Sequence, residues 1–142
     1  MSLKKIITIV FLFASLFLVA CSEQSKGELT RIDVISLFEE KSIEYHIQLE
    51  EELTLVENVF QKVNWQPNAK LKMSREPDVE AVFFYTFDKN MPERLVNYQI
   101  WFNQENDTAT IICDYQNEGF GTLVKGNAES LKQFFMKAGQ TE

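Results

Sequence analysis

The sequence is poor in the residues that build the most recognisable sites. It has two cysteines, one histidine and five glycines among 142 residues. One histidine cannot form the usual multi-histidine metal site, and two cysteines are too few for a disulfide framework or a cysteine-based zinc site. No glycine-rich phosphate loop and no nucleophile elbow is present. We therefore predict no metal and no cofactor, and we favour a protein that is not an enzyme.

Basic residues are also scarce. The chain has 14 Lys plus Arg against 21 Asp plus Glu, for a net charge of −7. This balance argues against a nucleic-acid partner and against electrostatic adhesion to anionic lipid headgroups. It is typical of a soluble surface domain, with a cationic ligand as the more specific alternative.

The only long hydrophobic run lies at the start of the chain. Lys4 and Lys5 precede residues 6–20, which are apolar apart from one threonine and one serine. A basic start, an apolar core and small residues at its end form the pattern of a secretory signal peptide. The run is shorter than the roughly 20 apolar residues that span a bilayer. We therefore predict that residues 1–20 are a signal peptide.

The end of that run resembles the lipobox of bacterial lipoproteins. The residues Leu18-Val19-Ala20-Cys21 are an aliphatic residue, a tolerated valine, a small residue and the cysteine. The resemblance implies cleavage between Ala20 and Cys21 and diacylglycerol on the Cys21 sulfur. Two acyl chains anchor a protein durably, whereas one anchors it marginally. The mature side chains would then carry 12 basic and 21 acidic groups, for a net of −9.

The predicted location is the extracytoplasmic face of the cell membrane, with the lipid at Cys21 as the membrane contact. Residues 21–28 form a polar tether, and residues 29–139 form one domain. With Cys21 acylated, Cys113 lacks a second thiol for a disulfide, and its apolar surroundings favour burial.

Hydrophobic periodicity predicts the elements of the domain. Alternation indicates strands at 29–37 and 42–49, and a three-to-four-residue period indicates a helix from about 50 to 63. A polar loop with two prolines covers 66–78. The remaining predicted elements are strands at 79–87, 95–103, 108–115 and 120–125, and a helix capped by Asn127 that stops at Gly139.

This order predicts an α+β domain. We expect a mostly antiparallel sheet of about five to six strands with two helices packed on one face. Phe83, Ile100, Ile111, Leu131 and Phe134 are the expected core.

Aromatic residues are the candidates for binding. Trp101 points to the opposite face of its strand from its apolar neighbours, and Trp65 also lies among polar residues. Exposed tryptophans are often interface contacts. The alternative is that the 66–78 loop covers Trp101. His46, on the polar face of its strand, is expected to be a surface residue.

Residues 97–135 resemble the C-terminal part of the YhfM-like small lipoproteins of Gram-positive bacteria. The similarity rests on the strand Tyr98-Gln99-Ile100-Trp101, the strands after it and an Asn-capped helix with Leu131 and Phe134. Residues 76–88 fit the preceding strand of that family. The sequence departs from the family in having little glycine between its last two strands. The resemblance implies a membrane-tethered domain of unassigned activity, and it carries over no catalytic residues.

The leading functional hypothesis is a binding or accessory lipoprotein of the cell envelope, with an envelope protein or a small ligand as its partner. Two alternatives are an envelope hydrolase that uses carboxylates and a small inhibitor or immunity-type lipoprotein.

Overall fold

Within the described residues, the fold is an antiparallel sheet with two helices on one face. The computed structural model describes residues 27–38, 40–115 and 118–140. Its elements are β1 (Glu28–Ser36), β2 (Ile43–Ile47), α1 (Glu50–Phe60), β3 (Asn64–Gln66), β4 (Val79–Thr86), β5 (Arg94–Asn103), β6 (Thr108–Cys113), β7 (Phe120–Leu123) and α2 (Lys125–Ala138).

The described strands form one sheet of seven, in the order β2-β1-β4-β5-β6-β7-β3. Every neighbouring pair is antiparallel. The α+β class and the antiparallel sheet are confirmed. The additional strand is β3, which has three residues and pairs with β7 at the edge of the sheet. Such a short edge strand has too few residues to show alternation, so periodicity could not reveal it.

The core lies between the sheet and the helices, on what we call the inner face. Alternate residues of each strand point to this face, as the pleat requires. Phe83, Ile100, Ile111 and Leu131 are all fully buried, which confirms four of the five core predictions. The fully buried set also includes Ile32, Val34, Ile47, Val56, Val79, Tyr98, Leu123 and Phe135.

The fifth core prediction was wrong. Phe134 is only half-buried, and its neighbour Phe135 is 0% exposed. Both residues fit the apolar stripe of α2, and one residue rotates a helical side chain by about 100°. The angle at which α2 docks on the sheet decides between them. Cys113 is buried, as its apolar context predicted.

The helix boundaries differ slightly from those predicted by hydrophobic periodicity. α1 starts with Glu50, Glu51 and Glu52 in its first turn, where carboxylates stabilise the positive end of the dipole. It ends at Phe60, and Val63 donates to the Phe60 carbonyl in a tighter turn. α2 begins at Lys125 after Val124, so Asn127 lies inside the first turn and is not the cap. Gly139 is the C-cap, as predicted.

The predicted signal peptide, the lipobox and most of the tether lie outside the described residues. Across the part of the chain that the structure describes, no helix has the length and apolar character needed to cross a membrane.

Candidate ligand-binding groove

The outer face of the sheet, which the helices leave uncovered, has two rows of side chains that cross five strands. Strand register places Asp33 between His46 and Val82, and Val82 beside Asn97. The backbone N–H of Asn97 donates to Asp114, which continues this row by one strand. We call it the first row; it consists of His46, Asp33, Val82, Asn97 and Asp114.

The second row lies two residues along each strand. Ile35 pairs with Glu44 on one side and with Glu80 on the other. Glu80 pairs with Gln99, and Gln99 with Ile112. The second row is therefore Glu44, Ile35, Glu80, Gln99 and Ile112.

The two rows line a groove with a volume of about 560 Å³. Neighbouring strands lie about 4.8 Å apart, so five strands give the groove a length of about 19 Å. Ile35, Val82 and Ile112 are half-buried and form an apolar floor. Volumes of this size are typical of small-molecule sites, although such sites are usually more enclosed.

The groove is strongly acidic. Its lining includes four carboxylates, those of Asp33, Glu44, Glu80 and Asp114, and neither lysine nor arginine. Two side-chain amides hold two of these carboxylates in place. Gln99 donates to Glu80 at 3.2 Å, and the side chain of Asn97 donates to Asp114. The carboxylates are thus spread along the groove instead of being gathered at one point.

The imidazole lies at one end of the first row. Nδ1 of His46 lies 2.8 Å from Oδ1 of Asp33. The same oxygen lies 2.9 Å from Nε of Arg31, whose guanidinium is 3.8 Å from the centre of the Phe84 ring. His46 is exposed, as predicted, and the carboxylate fixes the orientation of its ring.

Trp101 is not an exposed contact. It lies on the outer face, but it is 3% exposed and its Nε1 donates to the Arg75 carbonyl at 3.0 Å. Arg75 in turn binds Asp78 through two hydrogen bonds, and Asp78 accepts from the Phe102 N–H at 2.7 Å. The carboxylate of Asp78 raises the pKa of Arg75. The expectation of exposure was wrong, and the alternative, a loop that covers Trp101, describes the structure.

Trp65 belongs to the other face of the sheet. It is half-buried in β3, and its ring centre lies 6.1 Å from that of Tyr98. The two tryptophans therefore lie on opposite faces and do not form one surface.

Sequence reasoning missed most of the groove. The alternation of β2 did identify Glu44 and His46 as polar-face residues. The other groove residues were not selected, because their proximity depends on which strands are neighbours. Glu80, for example, lies in a strand that reads as nearly continuous apolar sequence.

Buried hydroxyls lie on the inner face behind the groove. Tyr98 donates to Glu118 at 2.7 Å, and Tyr45 donates to the Phe135 carbonyl at 2.8 Å. Burial raises the pKa of both tyrosines. Burial, with the nearby Glu57 charge, also raises the pKa of Tyr85 to about 12. These phenols stay neutral at ordinary pH and stabilise the core.

Metal ligands do not converge anywhere in the described ranges. No group of three or more His, Cys, Asp or Glu side chains there is placed to hold a metal ion.

Comparisons with known proteins provide a fold relationship. No family model matches the sequence, and no curated protein matches it. A solved structure of a thioesterase-like protein from Clostridium sporogenes is similar, with a TM-score of 0.50 and 20% identity. The similarity covers 76% of this chain and 94% of that one. At this identity the likeness shows a shared fold alone, an antiparallel sheet with helices on one face.

Proposed function

We propose that this protein is a lipid-anchored envelope protein that binds an elongated cationic ligand along the groove. The observation that carries the proposal is the uncovered groove, which combines four carboxylates with an apolar floor and has neither lysine nor arginine in its lining. The anchor at Cys21 and the YhfM-like relationship remain predictions from the sequence.

The ligand class follows from the spacing of the groove side chains. Carboxylates near both ends and in the middle favour several positive charges separated along about 19 Å. The half-buried Ile35, Val82 and Ile112 favour aliphatic segments between those charges. An aliphatic polyamine has both properties. Its binding would be sensitive to salt, because charges at an open surface are screened within about 8 Å at physiological ionic strength.

The groove is better suited to binding than to acyl transfer. β1, β4 and β5 are each paired on both sides, so the N–H groups of the groove floor donate to neighbouring strands. The side-chain amides of Asn97 and Gln99 donate to carboxylates. Oxyanion stabilisation needs donors that point at the reacting oxygen, and these donors are already engaged.

Titration calorimetry with spermine at low and high salt tests the ligand class. Glu44→Gln and Glu80→Gln each remove one groove charge with little change in shape. Each should weaken binding by up to about fivefold, since an exposed ion pair contributes about 0.2–1 kcal/mol. Val82→Trp should weaken binding by filling the floor.

Glu105→Gln is the matched control, because Glu105 is an exposed carboxylate on the turn between β5 and β6. If the three groove variants and Glu105→Gln all bind spermine with the same affinity, the binding is nonspecific attraction to an acidic protein. That result would refute the proposal.

The predicted lipid anchor at Cys21 can be tested separately. Cys21→Ser should leave the precursor uncleaved or release the protein from membranes. Incorporation of labelled palmitate by the Cys21→Ser protein, with retention in the membrane fraction, would refute the lipoprotein assignment.

Hydrolysis of an acyl thioester is a second candidate function. It is favoured by the Asp33–His46 contact in the groove and by the fold shared with a thioesterase-like protein. With Nδ1–H donated to Asp33, Nε2 of His46 could accept a proton from water. The water oxygen would attack the acyl carbon, the C–S bond would break, and the leaving thiolate would take up the proton.

Hydrolysis of short- and long-chain acyl-CoA by the purified protein tests this candidate. His46→Gln should lower the rate by about 10²–10⁴-fold if the imidazole is a general base. Asp33→Asn should lower it less, because the imidazole is retained. A rate that His46→Gln leaves unchanged would exclude this role.

A further inference from the structure

An exposed apolar hairpin lies at the end of the sheet where the chain enters the domain. We call residues 87–95 the hairpin tip; it connects β4 to β5. Phe87 is 40% exposed, Met91 is 62% exposed and Leu95 is 52% exposed. Three large apolar side chains are thus exposed within residues 87–95, and exposed apolar surface on a folded domain often marks an interaction surface.

Contacts within the tip and one hydrogen bond from β1 order the tip. The N–H of Met91 donates to the Asp88 carbonyl at 3.0 Å, and the N–H of Asn90 donates to the Asp88 carboxylate at 2.9 Å. Thr30 of β1 donates to Glu93 at 3.0 Å. The guanidinium of Arg94 lies 4.4 Å from the Phe87 ring centre. These contacts define the conformation of the turn that carries the exposed apolar side chains.

The tip lies against the point of chain entry. Glu28, the first residue of β1, pairs with Thr86, the last residue of β4. A Cβ on Gly27 would lie 2.8 Å from the Thr86 carbonyl oxygen and 3.2 Å from the Phe87 ring. Cys21 is six residues before Gly27, which limits their separation to about 20 Å at full extension. A lipid on Cys21 would therefore keep this end of the sheet close to the bilayer.

The charge of the tip suits a lipid surface. Asp88 and Glu93 balance Lys89 and Arg94, so the tip is neutral within a strongly acidic domain. A neutral apolar loop can enter the headgroup region without repulsion from anionic lipids, and long basic side chains can remain at the interface.

We infer that the hairpin tip is a second membrane contact, in which Phe87, Met91 and Leu95 enter the interfacial region of the bilayer. The inference rests on the lipid anchor of the proposed function and is independent of the groove ligand. Together, the anchor and the tip would hold the domain in one orientation, with the far end of the sheet away from the membrane.

The test uses the full chain expressed in a bacterium and reconstituted into phosphatidylcholine vesicles. Met91→Cys provides a labelling position for an environment-sensitive fluorophore, since Cys113 is buried. Val124→Cys is the matched control. Val124 is 67% exposed and directly follows Leu123, which pairs with Ala109 at the end of β5 opposite the hairpin tip.

We expect blue-shifted emission from the label at position 91 and strong quenching when nitroxide-labelled lipid is included. The label at position 124 should show solvated emission without quenching. Leu95→Gln should reduce the quenching at position 91 while circular dichroism stays unchanged. Equal, solvated emission from both positions would overturn the inference.

Mass spectrometry of the same preparation separates the two possible failures. A mature chain with diacylglycerol on Cys21 and a solvated tip would refute only the second contact. A chain without lipid would refute the anchor and, with it, this inference.

Discussion

The sharpest prediction concerns two glycines whose replacement by alanine should have opposite effects. Gly121 lies in β7 with its α-carbon directed to the inner face, opposite Trp65 of β3. A Cβ there would lie 2.4 Å from Cγ1 of Val63 and 2.7 Å from Cε3 of Trp65. Real Cβ atoms essentially never approach so closely, so Gly121→Ala must displace the indole or the backbone of β3.

The magnitude follows from overpacking. An extra carbon in a packed region costs about 1–3 kcal/mol through shifted side chains and backbone. The backbone of Trp65 is paired with β7 and its ring packs against Tyr98, so the indole has little room to move. With a urea m value of about 1–3 kcal/mol/M for a small domain, the unfolding midpoint should fall by roughly 1 M.

Gly126→Ala is the matched control. Gly126 lies in the first turn of α2, and a Cβ there would have no atom within 4 Å. The same substitution should raise the free energy of unfolding by up to about 0.5–1 kcal/mol, because alanine loses less backbone freedom in a helix than glycine does.

Urea titrations followed by tryptophan fluorescence measure both effects, with Trp65 as a local probe. Val63→Ala should partly rescue Gly121→Ala, because it removes the atom at 2.4 Å. We expect a coupling energy of about 0.5 kcal/mol or more in the double-mutant cycle. A Gly121→Ala protein as stable as the unsubstituted one would refute the close packing of β3 on β7.

Three further predictions follow from the core and the loop. Phe135→Ala should cost about 3–5 kcal/mol in urea unfolding, and Phe134→Ala clearly less, because only Phe135 is fully buried; equal costs would contradict the docking of α2. Because burial raises the pKa of Tyr85 from 10.0 to about 12, its stabilisation is complete below pH 10 and is lost as the pH rises through 12. The urea midpoint should therefore decrease as the pH is raised from 10 to 12, and it should decrease less in Tyr85→Phe. Asp78→Ala should release the loop and let iodide quench Trp101, measured with the other tryptophan replaced by Phe; unchanged quenching would show that the loop stays closed without this carboxylate.

The sequence by itself determined most of the helices and strands of this protein and the prediction that it is anchored to a membrane. Strand alternation and helix periodicity are local properties, so six of the seven strands and both helices that the structure describes could be placed without it. The α+β class followed from their order. The basic start, apolar run and lipobox-like residues 18–21 are equally local, and they predict the membrane anchor.

Only the tertiary structure decided which residues meet. The groove exists because β1 separates β2 from β4, which brings Glu44 and Glu80 to the same row from distant parts of the chain. The cover over Trp101 depends on a loop whose hydrogen bonds cannot be read from composition. Strand order, register and helix docking angle arise from contacts between distant segments, and such contacts leave no periodic signal in the sequence.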